Sequence, residues 1–361
     1  MIDERNSSHS VRSAPMSLHP REALERVVYL LDRSLADGNK VRAYQRAIDI
    51  VDEVGDDELL ALHERGALTD LAGIGTSTGA VIAQALDGEV PKKVTDLEAA
   101  TVIEPSEGTG IREALKGDCH LHSVWSDGGA TIETMAEAAR SLGHEYMVLT
   151  DHSPRLTVAH GLNADRLRAQ LDEIRALNER WDDFRILTGI EVDILVDGSL
   201  DQDEDLLDEL DVVVASVHSK LSMDRKDMTK RMVMAVANPH VDILGHCTGQ
   251  KVPGRMRPIG KSDFPGRIGS QFDADMVFAA CERFDVAVEI NCRPERQDPP
   301  PELLDLALEW GCKIAIDTDA HAPGQLEWQA FGCDKAARHG IDPDSIVNTL
   351  SADELVEWAR G

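Results

Sequence analysis

Aromatic residues make up only 4% of this 361-residue chain, and positive charge is short as well, with 37 Lys and Arg against 66 Asp and Glu. The resulting net charge of −29 favours solubility and repels polyanions at long range, so any contact with nucleic acid has to be local. No apolar run approaches the ~18 residues that a membrane span requires, which excludes membrane insertion. The six cysteines, Cys119, Cys247, Cys281, Cys292, Cys312 and Cys333, contain no Cys-x-x-Cys pair. That fits reduced cytosolic thiols better than disulfides or a structural zinc knuckle. The stretch from Met1 to Ser17 lacks the apolar core of a signal peptide. These absences lead to the expectation of a cytoplasmic protein.

What is present divides the chain. Residues 1–18 are polar with little aliphatic periodicity and read as a disordered tail. Over 19–95, apolar residues recur at three and four positions, as in Leu24, Val27, Val28, Leu31 and in Tyr44, Ala47, Ile48, Val51, the pattern of amphipathic helices. Leu71-Ala72-Gly73-Ile74-Gly75-Thr76 places two permissive glycines between helices, a candidate helix-hairpin-helix turn. Residues 96–115, containing Glu and Pro, read as a linker. From 116 to 361, short apolar runs alternate with amphipathic stretches, which predicts an α/β fold, either a barrel or a doubly wound sheet. Strands are expected at Asp118–His122, Tyr146–Thr150, Arg185–Ile190, Val212–Val217, Val241–Gly245, Val286–Asn291 and Lys313–Asp317.

Six of those strands end in histidine or carboxylate: His120, His122 and Asp127 after the first, His152 after the second, then Glu191, His218, His246, and finally Asp319 and His321. The C-terminal rim of an α/β barrel is where active sites are built. Histidines at i and i+2 share one face of a strand and can grip one ion together. Imidazole and carboxylate without paired cysteines suit zinc, manganese or iron. Nine such groups exceed the needs of one ion, and two or three ions with Glu191 as a bridge are more economical. Ions about 3.5–4 Å apart can hold a hydroxide between them and clamp phosphoryl oxygens, which points to phosphoester hydrolysis. Any one of these histidines alone is more often a hydrogen-bonded structural residue, and His9, His19, His63, His144, His160, His240 and His339 are read that way.

The motifs Gly-Asp-Cys-His-Leu-His-Ser-Val-Trp-Ser-Asp-Gly, Leu-Thr-Asp-His-Ser, Gly-Ile-Glu-Val-Asp-Ile, Ser-Val-His-Ser, Asp-Ile-Leu-Gly-His-Cys-Thr-Gly, Val-Glu-Ile-Asn and Asp-Thr-Asp-Ala-His resemble, in order, those of the polymerase and histidinol phosphatase (PHP) superfamily. The resemblance is greatest to the C-terminal PHP domain of bacterial family-X DNA polymerases. It implies a distorted seven-stranded (β/α) barrel with a trinuclear metal site. The implied ligand sets are His120, His122, Glu191 and Asp319 for one ion, Glu191, His218 and His246 for the second, and Asp127, His152 and His321 for the third. The helical region, through Asn39 to Ala47 and Leu71 to Gly75, resembles the small helical DNA-binding domain of the same polymerases. Only Pro91 to Leu115 stands where those enzymes have a palm, which excludes nucleotide transfer, and Val81 stands where eukaryotic relatives carry a Schiff-base lysine.

The implied activity is hydrolysis at DNA 3' ends, as an exonuclease or 3'-phosphatase in DNA repair, with DNA held in part by the helical domain. A small-molecule phosphomonoesterase of histidinol-phosphatase or nucleotidase type is the competing reading. Residues 21–95 hold nine Lys or Arg against fourteen Asp or Glu, which runs against phosphate-driven binding. Arg255 and Arg296, with Arg293 a weaker choice, are the candidate phosphate binders. Asp118 and Asp151 adjoin ligands and are expected to orient imidazoles.

Overall fold

The computed structural model describes residues 18–103, 106–253 and 265–361, and contacts divide the chain into two compact units. The first covers residues up to 31 and 37–100 and is helical. Its elements are α1 (Pro20–Arg33, whose last two residues group with the second unit), α2 (Gly38–Val54), α3 (Asp56–Glu64), α4 (Thr76–Leu86) and α5 (Lys92–Ala100). Leu24, Val27, Leu30, Ala47, Leu59 and Ile82 have no exposed surface, so the three-and-four periodicity becomes one buried face. The turn before α4 requires glycine at position 73. Its φ is +101°, and a Cβ there would meet Ile50 Cδ1 at 2.7 Å, with the stem of Arg46 beside it. Tyr44 and Ser77 bind each other through their hydroxyls at 2.6 Å, tying α2 to the first turn of α4.

The second unit, residues 32–36 and 101–361, is a seven-stranded parallel barrel with flanking helices. In chain order come α6 (Thr109–Ala114), β1 (Gly117–Leu121), α7 (Ile132–Ser141), β2 (Tyr146–Leu149), α8 (Ala164–Asn178), β3 (Arg185–Asp193), α9 (Glu204–Leu207), β4 (Val212–Ser216) and α10 (Arg225–Val236). There follow β5 (Ile243–Leu244), α11 (Ala274–Arg283), β6 (Ala287–Asn291), α12 (Pro301–Glu309), β7 (Ile314–Asp317), α13 (Gln329–Arg338) and α14 (Ala352–Ala359). Each strand pairs with the next in parallel, in the order β1 to β7. The seam between β7 and β1 is thin: a single bridge joins Leu121 and Ala320, and Asp317 Oδ1 accepts from Cys119 N at 2.8 Å. This nearly closed barrel is the expected fold class. The expected linker 96–115 is a correction, because its ends are helical in α5 and α6. Val94 and Ile111 give those segments buried anchors, which outweigh the Glu and Pro between them.

Alternation along the strands sets the site. Leu187 on β3, Val212 and Val214 on β4, Ala287 on β6 and Ala315 on β7 belong to one buried apolar cluster. Two or four residues further along the same faces come Glu191, Ser216, Glu289 and Asp317. Side chains at even spacing share a face of a strand, so an apolar lower layer leads to a polar, chemically active rim. On β1 the pairing register shifts between Asp118 and Leu121, an irregularity of the kind that re-aims side chains at barrel rims.

Candidate metal centre

Glu191 sits at the middle of the rim, 1% exposed. Its Oε1 lies 2.8 Å from His246 Nε2 and 3.1 Å from His218 Nε2. Its Oε2 lies 2.8 Å from His152 Nδ1, 3.3 Å from His120 Nε2 and 3.6 Å from His122 Nε2. Only the His246 contact has hydrogen-bond geometry. His120 Nε2, both ring nitrogens of His122 and of His218, His152 Nδ1 and Glu191 Oε2 are buried with no hydrogen-bond partner. Leaving one such atom unpaired costs about 1–3 kcal/mol. So many of them at one place, close together yet misaligned for hydrogen bonds, fits donor atoms aimed at ions between them.

Ligand atoms come together within 4.8 Å in three groups: His122, Asp127, His152 and His321; His120, His122 and Glu191; and His152, Glu191 and His218. Asp319 Oδ1 stands 3.4 Å from His122 Nε2, and Asp127 Oδ1 stands 3.4 Å from both His152 Nε2 and His321 Nε2. All nine expected ligands are therefore gathered at one rim. The groups differ in detail from the implied sets, since His122 and His152 each belong to two of them. The Asp127 side chain is 35% exposed and that of His321 22%, against 1% or less for His120, His122, Glu191 and Asp319. The Asp127 end is thus the side open to solvent.

Burial penalises the Glu191 charge, yet the field of His218, His120 and His152 outweighs it and holds the carboxyl well below its usual range. Asp319 is likewise held low against burial by Arg293 and Arg296. His122 is pushed well below the ordinary imidazole value by burial and by its neighbours His321 and His152. Against burial, Glu191 and Glu289 hold His120 well above the ordinary imidazole value, and Glu191 with Asp193 lifts His218 to about 9, so metal binding at these two imidazoles would release protons.

The orienting carboxylates are not the expected ones. Asp118 accepts from His120 N at 3.1 Å and from the Thr318 hydroxyl, and burial pushes it up to about 6. Asp151 accepts from Ser123 N at 2.9 Å and from Gln170 Nε2 at 2.6 Å. Both hold backbone and loops, and neither is bonded to an imidazole. Glu289 takes that role for His120, with Oε1 2.5 Å from Nδ1, which leaves Nε2 turned toward Glu191. Asp193 sits near His218, accepting from its backbone N at 3.2 Å, with the ring Nδ1 3.6 Å away and not hydrogen-bonded. Both residues lie inside quoted motifs, at even spacing from Glu191 or from the apolar positions of β6, a signal that was there to be read.

Arg296 Nε lies 3.1 Å from Asp319 Oδ2. Arg293 donates through Nε to Glu295 at 2.9 Å and through a terminal nitrogen to Asp319 O at 2.8 Å. Both are therefore at the rim, while Arg255 lies outside the described residues. Of the histidines read as structural, His19, His63 and His339 bind Asp56, Asp87 and Asp305, and His144 binds Gln329.

Histidines and carboxylates thus converge at one rim of a seven-stranded parallel barrel. The PHP domain profile matches residues 118–250. A DNA polymerase/3'-5' exonuclease PolX of Bacillus subtilis (strain 168) is 41% identical over 246 residues, 68% of this chain and 41% of that protein. The chain thus matches less than half of that relative's length. A probable phosphatase of Thermoanaerobacter sp. (strain X514) is 31% identical over 248 residues, 64% of this chain and 89% of that protein. A solved structure of a Lactococcus lactis histidinol phosphate phosphatase with zinc, L-histidinol and phosphate is 17% identical, covering 63% of this chain and 94% of its own at a TM-score of 0.41. The chain belongs to the PHP family of phosphoesterases. Among the described residues, no helix is long and apolar enough to cross a membrane.

Proposed function

We propose that the chain is a phosphoesterase dependent on a cluster of three metal ions, zinc, manganese or iron, and that it acts on DNA ends as a 3'-5' exonuclease or 3'-phosphatase. The observation that carries this reading is Glu191 with imidazoles on both carboxylate oxygens, beside ring nitrogens that have no protein partner. His120, His122, Asp127, His152, Glu191, His218, His246, Asp319 and His321 would hold the ions. Bound there, the ions would supply a water-derived nucleophile at neutral pH and polarise the phosphoryl group.

The chain's own residues do the rest. Glu289 and Asp193 hold His120 and His218 in place. Arg296 and Arg293 set positive charge beside Asp319, where guanidinium forks suit the oxygens of a phosphoryl group as its charge develops. The barrel interior below is closed to water by the apolar layer of Leu187, Val214 and Ala287.

The DNA assignment is supported by the similarity to the polymerase/exonuclease and by the glycine turn at Gly73 to Gly75 that opens α4 in the helical unit, since the first N–H groups of a helix suit a phosphate. A second reading, a small-molecule phosphomonoesterase acting on histidinol phosphate or a nucleotide, is favoured by the excess of acidic residues in the helical unit and by the phosphatase name of a relative covered over 89% of its length. The two separate in one assay of the metal-loaded protein on 3'-phosphorylated and recessed DNA beside histidinol phosphate, nucleotides and p-nitrophenyl phosphate. The highest kcat/KM is expected on a DNA end. A small monoester turned over far faster than any DNA end overturns that assignment.

A further inference from the structure

The positive charge beside Asp319 does not stop at Arg296. After β5 the chain forms a two-residue antiparallel bridge, in which Lys251 N donates to Arg267 O at 2.9 Å and Arg267 N to Lys251 O at 2.7 Å. Directly opposed residues in such a bridge carry their side chains on the same face, and like charges opposed in this way are unfavourable. Val252 N donates to Glu295 O at 2.7 Å, which seats the bridge against the loop that carries Arg293 and Arg296.

Among the described residues, little offsets this charge. Burial, then the field of Arg296, Arg293 and Arg267, draws the Lys251 ammonium below its ordinary range, and Glu295 opposes them. Glu295 is itself committed to Arg293 at 2.9 Å, and Asp298 to the Thr248 hydroxyl at 2.8 Å. Among the described residues the Lys251 ammonium has no acceptor. The Ser270 hydroxyl, in a residue 5% exposed, is buried without a partner. Lys251, Arg267 and Ser270 line one cleft of about 720 Å³ together with Thr248 and Gln250, and Glu302 is the acidic residue on its wall.

An ammonium and a hydroxyl without an acceptor, beside a guanidinium that gives Nε and one terminal nitrogen to Gly249 O and has further N–H groups to offer, match an anion whose oxygens only accept. A cleft of this volume has room for a nucleotide rather than for one phosphate alone. We propose that it holds the phosphodiester next to the reacting phosphate of a polynucleotide end, so that the barrel itself recognises a strand. This rests on the phosphoesterase reading above, and it distinguishes a strand from a simple monoester, which has no second phosphate to place there.

The test uses the full-length, metal-loaded protein with a 3'-phosphorylated hexanucleotide, p-nitrophenyl phosphate, thymidine 3'-phosphate and thymidine 3',5'-bisphosphate. Lys251→Gln should lower kcat/KM on the hexanucleotide at least tenfold and stay within twofold of the parent on p-nitrophenyl phosphate. It should also make the log–log salt slope shallower by about 0.7, the loss of one single-strand phosphate contact. Lys251→Arg, which keeps the charge, should restore both. A variant that matches the parent on the hexanucleotide, or that loses all substrates equally, overturns the cleft assignment. A parent that hydrolyses p-nitrophenyl phosphate but ignores the hexanucleotide overturns the DNA reading instead. If that parent prefers the bisphosphate and Lys251→Gln abolishes the preference, the cleft belongs to a small ligand and the strand proposal fails.

Discussion

A carboxylate can serve two ions only if ligands stand on both of its sides, and Glu191 has His218 and His246 at one oxygen and His120, His122 and His152 at the other. Asp127 lies at the open edge, with His152 and His321 as its neighbours. Glu191→Gln should therefore remove more than one metal ion per chain and lower kcat by at least 10³-fold, while Asp127→Asn should remove one ion at most. Elemental analysis of protein purified without chelator reads the difference, and equal metal retention in both variants would count against the bridge. The nine residues proposed as ligands are legible as a set because histidines and carboxylates recur at the ends of successive strands, a pattern that short sequence windows expose. Their orienting partners were harder to read. Asp118 and Asp151 adjoin ligands in sequence but bond to backbone, hydroxyls and an amide, whereas Glu289 reaches His120 from a strand 169 positions away. Asp151 immediately precedes His152, and adjacent side chains of an extended chain point to opposite faces, whereas Asp118 shares the face of His120 but is taken up by its backbone N and by the Thr318 hydroxyl.

Strand positions were legible to within a few residues because parallel strands buried on both faces read as apolar runs between helical periods. The short β5, Ile243–Leu244, was expected to be longer: Val241 and Gly245 extend its apolar run without adding ladder pairs. Nothing in local sequence announced how α6, α7 and α13 meet. There His144 Nε2 lies 3.0 Å from Gln329 Oε1 and 3.2 Å from Arg112, and Arg112 also donates to Leu142 O at 3.2 Å. Burial, reinforced by Arg112, pushes His144 down to about 3, against about 6.5 in an unfolded chain. The folded state thus binds fewer protons than the unfolded state between those values. The stability this group contributes is fully present above pH 6.5 and is lost as pH falls toward 3. His144→Leu should lower Tm at pH 7.5 by leaving Gln329 without its donor, yet make the fall in Tm from pH 6.5 to 4.5 shallower than in the parent. Parallel acid profiles for the two proteins would show that His144 does not carry that sensitivity.

At the scale of the whole molecule, a net charge of −29 opposes the approach of a polyanion, and the opposition weakens as salt screens it. DNA contacts act in the other direction, because each phosphate neutralised releases counterions and makes binding weaker as salt rises. The sign of the salt dependence therefore tells which kind of interaction dominates turnover. On the helical unit the stem of Arg46, on α2, packs beside Gly73, and Arg42 lies one helical turn earlier with Asn39 as its partner at 2.8 Å. If this unit presents DNA to the barrel, Arg42→Glu/Arg46→Glu in the full chain should lower kcat/KM on a recessed 3' end about tenfold or more at 50 mM salt. The loss should shrink as salt rises, and p-nitrophenyl phosphate hydrolysis should stay within twofold of the parent, since all nine proposed ligands lie between residues 120 and 321. Unchanged DNA turnover in the double variant, with turnover of the parent rising rather than falling with salt, would remove the helical unit from substrate recognition. It would also make long-range repulsion, and with it a small uncrowded phosphomonoester, the better account of an acidic chain.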